Sequence, residues 1–268
     1  MFAPAAEERN ENGYFVRYSG GKDSDVLVDL FIRAGVKFMI NHSLTTIDAP
    51  ETVRHVREQF ARWKDMGILC IITRPENNMN FYSLCEKYQM LPSRWYRFCC
   101  LELKERTSKE YRHALRAFGV RKTESHKRAN RDVIETGNNR KKWKEWEHFK
   151  FDDSEDVLQT GTCYTNNYFY INPIAEYTTE DVWNYIRERG LSVNPLYSKG
   201  FERVGCIGCP LASGRRMLWE YEMWPQYFYR LMKTIETIQP QLHEKFPDTE
   251  TFANVKNYVF VHFQTNRM

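Results

Sequence analysis

The chain has 268 residues, of which 42% are hydrophobic, 15% aromatic and 28% charged. That is enough apolar material for a core, and it excludes a mainly disordered chain. The 39 Lys and Arg against 35 Asp and Glu leave a net charge of +4, which by itself says nothing about nucleic acid, and no apolar run approaches the roughly 18 residues of a membrane span.

Residues 1–12 are polar and acidic, without the apolar segment of a signal peptide, and read as a flexible tail of a cytoplasmic protein. Tyr14 to Tyr18 reads as a strand, because Val16 and the flanking aromatics suit a half-buried pleated surface. After Ser19 to Ser24 a helix carries Val26, Leu27, Leu30, Phe31 and Ala34 on one face and stops at Gly35. Val36 to Ile40 is the next apolar run. A second helix starts at Asp48 to Glu51, with Asp48 as cap and Pro50 in the first turn, and continues through Val53, Val56, Phe60 and Trp63. Ile68 to Ile72 is a third run. Strand, helix, strand, helix, strand argues for an α/β fold with a parallel sheet covered on both faces.

Residues 101–150 carry fifteen Lys and Arg against eight Asp and Glu. Within them, Gly137-Asn138-Asn139 reads as a loop and Arg140 to Lys144, with Trp143 and Trp146, as a basic aromatic face. A solvated face is the plainer reading, since Glu145 and Glu147 dilute the charge. Thr178 to Arg189 predicts a capped helix ended by Gly190, and the aromatic-rich chain beyond Gly214 predicts helix to about Gln239, with a late strand over Tyr258 to Phe263. The expected division is a tail over 1–12, one domain over 13–215 and a mostly helical C-terminal extension over 216–268.

The sharpest feature is Ser19-Gly20-Gly21-Lys22-Asp23-Ser24 between a strand and a helix. Two glycines let the backbone bend close to a ligand. The N–H groups at the helix start favour an anion. Lys22 adds a positive charge, and Ser19 and Ser24 offer hydroxyls. Asp23 would repel phosphate unless it binds magnesium or caps the helix, so it hints at a metal nucleotide. The four-residue spacer of a Walker A loop is missing. A tight surface turn is the alternative for the two glycines alone; the whole hexapeptide in this setting favours phosphate.

Seven cysteines in a chain without an export signal are expected to be reduced, which favours metal binding or catalysis over disulfides. Cys206-Ile207-Gly208-Cys209-Pro210 aims two thiolates at one metal or cluster, and Cys99-Cys100 lies far upstream. Two pairs make the four thiolates that a [4Fe–4S] cluster needs. Structural zinc, a redox disulfide and no metal at all stay open. Cys70, Cys85 and Cys163 read as packing or turn residues, and His42, His55 and His126 show no metal spacing.

The hexapeptide resembles the pyrophosphate loop of the PP-loop ATP pyrophosphatases, the adenine nucleotide alpha-hydrolase-like superfamily. Other segments are similar to the phosphoadenosine phosphosulfate (PAPS) reductase family: Thr45 to Thr52, Gly119 to Ser125, Asn172-Pro173-Ile174 with the Trp183 helix, Asn194 to Tyr197 and Gly200 to Pro210. The resemblance covers about residues 14–215. It implies a Rossmann-like PP-loop fold with a C-terminal helical lobe. It implies that Ser19, Gly20, Gly21, Lys22, Asp23 and Ser24 cradle the phosphates of ATP, with Asp23 near Mg2+. Thr45, Thr46 and Asp48 are expected to line the nucleotide or shape its loop, and Arg121 and Glu124 to contact the ligand from the opposite side. Ser125, Arg128, Arg203 and Lys104 are expected near the same chemistry. Adenosine phosphosulfate reductases and DNA-phosphorothioation PP-loop enzymes carry a [4Fe–4S] cluster, and by resemblance Cys99, Cys100, Cys206 and Cys209 are its ligands, with zinc as the alternative.

Three functions follow. The favoured one is an enzyme that adenylates a substrate with ATP–Mg, releases pyrophosphate and serves cluster-dependent sulfur transfer to DNA or RNA. A sulfur donor such as a cysteine desulfurase is the expected partner, and the aromatic C-terminal stretch suits a core or a homodimer surface. The second is reduction of adenylyl sulfate or PAPS to sulfite; the cysteine expected in a C-terminal tail is missing, as none follows Cys209. The third is a non-catalytic nucleotide or nucleic-acid binding module. The complete loop, with its lysine, supports the first.

Overall fold

Among the described residues, six strands form one sheet in the order β3-β2-β1-β4-β6-β5. They are β1 Tyr14–Arg17, β2 Phe38–Ser43, β3 Leu69–Thr73, β4 Arg116–Ala117, β5 Ile134–Thr136 and β6 Phe169–Ile171. This computed structural model describes residues 3–93, 96–125, 128–136 and 169–245, without the side chains of 136, 169 and 239–245. The predicted features at 137–144, Trp143, Trp146, Cys163 and 258–263 lie outside the described residues.

β1 runs parallel to β2 and β4, and β4 parallel to β6. β5 departs from the expected parallel sheet, pairing antiparallel with β6. An antiparallel edge strand tolerates one open face, and Ile134-Glu135-Thr136 carries only one strongly apolar residue. β2 and β3 lie on one side of β1, and β4 and β6 on the other. The strand order therefore reverses at β1, and ligands of open α/β sheets bind at the carboxyl end of such a switch point.

The period-two alternation of β1 divides its side chains between two faces. Tyr14 and Val16 pack with Leu27, Val28 and Phe31 of α2 Lys22–Ala34 and with Val56, Phe60 and Trp63 of α3 Pro50–Asp65. Phe15 packs with Met39 and Ala114 and stacks on Tyr111. The far side of α2 presents Val26 to Ile174, Val182 and Ile186, the last two from the predicted helix Thr179–Arg189. Residues 1–12 are not all tail. Ala3–Arg9 forms α1, and its Ala6 is fully buried in the β1 cluster, which removes apolar surface from water.

Contacts group the chain into two compact units. The first comprises residues 1–42, 50–73 and 108–204, and the second 43–49, 74–107 and 205–268. In the second, α4 Phe81–Tyr88 packs against the long helix Pro225–Lys245, and Phe81, Tyr82, Leu84, Phe228, Leu231 and Ile235 are buried. In chain order α5 is Phe98–Cys100, α6 Thr179–Arg189, α7 Gly214–Met223 and α8 Pro225–Lys245. The helices after Gly214 match the sequence expectation.

Candidate functional site

In the first unit the hexapeptide leaves the carboxyl end of β1 and opens α2. Gly20 has φ +75°, and a Cβ there would sit 2.9 Å from Val56 Cγ2 and 3.0 Å from Thr52 Cγ2. Only glycine allows both the conformation and the approach. Ser24 closes the loop from the third helical position: its Oγ accepts from the N–H groups of Ser19 (3.3 Å) and Gly21 (3.2 Å) and donates to Gly21 O (2.7 Å). Ser19 Oγ lies 3.1 Å from Ser24 Oγ. The N–H groups of Gly20 and Asp23 have no protein partner among the described residues. Orphan donors at the positive end of a helix dipole form an anion site.

Two cations stand at this site, both nearly buried: Lys22 at 3% and Arg121 at 4% exposure. Asp23 holds both. Lys22 Nζ donates to its Oδ2 (3.0 Å) and Arg121 Nε to its Oδ1 (2.6 Å). Arg121 also donates to the hydroxyls of Thr123 and Thr179. Gly119 makes the approach possible, since a Cβ there would lie 2.9 Å from the Asp23 carbonyl oxygen. Glu124 accepts from the Arg121 N–H (3.1 Å), pairs with Arg128 and lies 3.5 Å from Arg203 Nη2. The structure thus brings Ser19 to Ser24, Arg121, Glu124, Arg128 and Arg203 into one charged cluster.

Sequence reasoning missed the supports of this loop. Asn194 Nδ2 donates to Gly20 O and to Thr52 Oγ1, both at 3.0 Å. Tyr197 Oη accepts from the Lys22 N–H (2.9 Å), and the Lys22 ammonium lies 5.6 Å from the Tyr197 ring centroid. Behind the loop, Asp25 accepts from Tyr18 Oη (2.6 Å) and lies 3.2 Å from His55 Nε2. Burial pushes the Asp25 carboxyl above the usual carboxylate range, against the contacts of His55 and Tyr18, which lower it. The Asn194 to Tyr197 segment was visible as a motif; the partners of Asp25 carried no signal.

Thr45, Thr46 and Asp48 belong to the second unit, where they meet the cysteines. The Thr45 N–H donates to Asp48 Oδ2 (2.8 Å), the Cys206 thiol donates to Thr45 Oγ1 (3.5 Å), and the Ile207 N–H donates to Ile47 O (2.9 Å). Thr46 sits at φ +65°, a strained conformation for a β-branched residue, and its hydroxyl accepts from the Phe81 N–H (2.9 Å).

Cys99 and Cys100 end the short helix α5, which runs into a wide turn over Leu101–Glu105. Both are free thiols, as are Cys206 and Cys209. A hydrogen bond from Cys99 holds Cys100 below the usual thiol range. The same contact pushes Cys99 up, and the Cys206 and Cys209 sulfurs are close enough to raise it further. Cys206 beside it raises Lys104, which is also influenced by Cys100 and Asp48 and hydrogen-bonds to Cys206. Burial raises Cys206. The four cysteines and Lys104 are therefore gathered, yet no three His, Cys, Asp or Glu side chains among the described residues converge as ligands of one ion. Cys70 and Cys85 are buried thiols, pushed up to about 11 and about 12 by desolvation, as packing residues are.

Comparison with known proteins agrees with the motif pattern. Residues 13–212 match the model of the phosphoadenosine phosphosulfate reductase domain. An uncharacterised protein of Methanocaldococcus jannaschii is 26% identical over 223 residues, 82% of this chain and 46% of that protein. The adenosine 5'-phosphosulfate reductase of Salinibacter ruber is 29% identical over 113 residues, 41% of this chain and 34% of that enzyme. The chain thus spans less than half the length of these relatives. The solved PAPS reductase of Candida auris aligns with a TM-score of 0.48 at 18% identity, over 71% of this chain and 80% of that one. The match over 13–212 makes this chain a member of the phosphoadenosine phosphosulfate reductase domain family.

Proposed function

We propose that the protein binds ATP–Mg at the Ser19–Ser24 loop and transfers the adenylyl group to a substrate with release of pyrophosphate. The observation that carries this is the pairing of Lys22 and Arg121 with the two oxygens of Asp23 at a helix start that has orphan N–H groups. A carboxylate between two buried cations occupies them as phosphate oxygens would. An arriving polyphosphate exchanges for it: Lys22 and Arg121 pass to the phosphates, and the freed Asp23 carboxylate would help hold a magnesium ion when one is bound. The N–H groups of Gly20 and Asp23 then receive the remaining charge. In the reaction, a nucleophilic oxygen of the substrate bonds to the α-phosphorus as the bond to the β-phosphate oxygen breaks, and pyrophosphate carries the electron pair away. Magnesium, when bound, neutralises charge on the leaving group.

The cysteine quartet supports a resident [4Fe–4S] cluster held by Cys99, Cys100, Cys206 and Cys209. The donors agree in number and in redox state. Such a cluster would supply soft iron sites for sulfur chemistry. Lys104 and Thr45 fix the charge and orientation of the Cys206 sulfur. Nucleic acid is the acceptor class we favour, from the resemblance to the DNA-phosphorothioation PP-loop enzymes, with a cysteine desulfurase-like donor as the source of sulfur.

Exchange of labelled pyrophosphate into ATP tests the reading. Wild-type protein with acceptor present is expected to exchange label, and Lys22→Ala to lose at least tenfold. Absence of exchange, with sulfite formed from adenylyl sulfate and a thiol reductant, would establish the second reading, which the Salinibacter ruber relative favours.

A further inference from the structure

Tyr197 closes a turn that is fastened to the phosphate loop. Its N–H donates to Asn194 O (3.1 Å), Asn194 Oδ1 accepts from the Leu196 N–H (3.0 Å), and the Asn194 side-chain amide donates to Gly20 O. Asn194 is fully buried, and the Trp183 ring meets the Tyr197 ring edge-on, with centroids 5.3 Å apart. Packing and hydrogen bonds from two sides therefore hold the phenol in one place.

Its hydroxyl reaches the loop at two points. Oη accepts from the Lys22 N–H (2.9 Å), and a Cβ on Gly21 would stand 3.2 Å from it, closer than an ordinary contact. The next atom, Ser19 Oγ at 3.6 Å, would not be crowded. Gly21 has φ −107° and ψ 160°, extended backbone that any residue adopts. Its conformation gives no reason for glycine; the approach of the Tyr197 hydroxyl does. The N–H groups of the loop are then shared out in order. Gly21 donates to Ser24 and Lys22 to Tyr197, while those of Gly20 and Asp23, on either side, have no protein partner among the described residues.

A phenol both accepts and donates, and with an ordinary pKa of about 10 it keeps its proton at neutral pH. The Lys22 N–H uses the oxygen of Tyr197, and the hydroxyl proton has no acceptor among the described residues. We infer that Tyr197 is a ligand-binding residue of the loop: its hydroxyl takes the Lys22 N–H and donates in turn to an oxygen of the phosphate chain that the Gly20 and Asp23 N–H groups receive. The inference rests on the reading of the loop as a phosphate site. Lys22 opens α2 at the positive end of its dipole, and donation to Oη polarises the O–H bond and strengthens it as a donor. The relay also moves the donor 2.9 Å outward from the Lys22 nitrogen.

The test is titration calorimetry of inorganic pyrophosphate into the full chain. Tyr197→Phe keeps the ring and its packing. It is expected to lose about tenfold or more in affinity, as for a hydrogen bond to a charged group. A hydroxyl that only covered the Lys22 N–H would give the opposite sign, since its removal bares one more donor to the anion. Unchanged or increased affinity in Tyr197→Phe overturns the inference. Gly21→Ala keeps the hydroxyl but displaces it. It is expected to weaken binding in the wild type and to add less than about twofold in Tyr197→Phe. Equal losses in the two backgrounds would assign the glycine to direct contact with the ligand and overturn the inference. If Tyr197→Phe does not fold, unchanged affinity in Gly21→Ala alone overturns it. Absence of pyrophosphate binding by the wild type would instead refute the phosphate reading of the loop, and the inference with it.

Discussion

Asp23 is the pivot of the loop because one short side chain neutralises two buried cations at once. Removing its charge leaves Lys22 and Arg121 buried beside each other. Asp23→Asn is therefore expected to lower stability by about 3 kcal/mol while inorganic phosphate restores part of the loss, a recovery readable in urea melts with and without phosphate. Gly20→Ala places a methyl group 2.9 Å from Val56 Cγ2 at φ +75°. It is expected to cost about 1–3 kcal/mol and to abolish phosphate binding. Among the thiols, chelator-treated reduced protein is expected to react with iodoacetamide first at Cys100. Its pKa is lowered, so its thiolate persists to lower pH than that of an ordinary cysteine, and its rate is expected to level off below the usual midpoint of about 8.5. Labelling followed by peptide mapping checks this, and Cys70 and Cys85 should stay unlabelled. The hexapeptide was legible because adjacent glycines, a lysine and hydroxyls crowd six positions. The pair Asp25–His55 was not, since 30 positions separate its members, and Tyr197 meets Lys22 across 175. Such contacts exist only after the sheet has folded.

At the scale of elements, α2 carries both the core and the site. Its first turn presents the loop, and its apolar residues Leu27, Val28 and Phe31 anchor it to the sheet. Leu27→Ala is expected to cost about 2–5 kcal/mol through lost burial and a residual cavity, with a lower urea midpoint and an unchanged slope. Helix ends were readable where local chemistry sets them. Thr178 caps α6 by accepting from the Asp181 N–H, and Gly35 ends α2 in the left-handed conformation. Strand β4 was not readable, since the two residues Arg116–Ala117 show no alternation. Strands β5 and β6 were missed for a similar reason: three residues each are too few to show an alternation or a direction. The helical segment Ala3–Arg9 was missed because its burial depends on the β1 cluster rather than on its own polar composition.

Across the whole molecule, chemistry is distributed between two compact units, each interrupted in sequence by the other. A linear reading of hydrophobic patterns carries no signal for such discontinuous units. The phosphate loop and its cations belong to the first, and the cysteine quartet with Thr45, Asp48 and Lys104 to the second. No described helix is long and apolar enough to cross a membrane. The central claim is that the loop takes ATP–Mg. It is tested most directly by thermal melting of anaerobically purified protein with ATP–Mg, adenylyl sulfate and PAPS in parallel. A ligand of the folded state alone adds about 2.7 kcal/mol at a hundredfold excess over its dissociation constant. The account predicts a raised melting point with ATP–Mg that disappears in Lys22→Ala. Stabilisation by the sulfated nucleotides alone would contradict it.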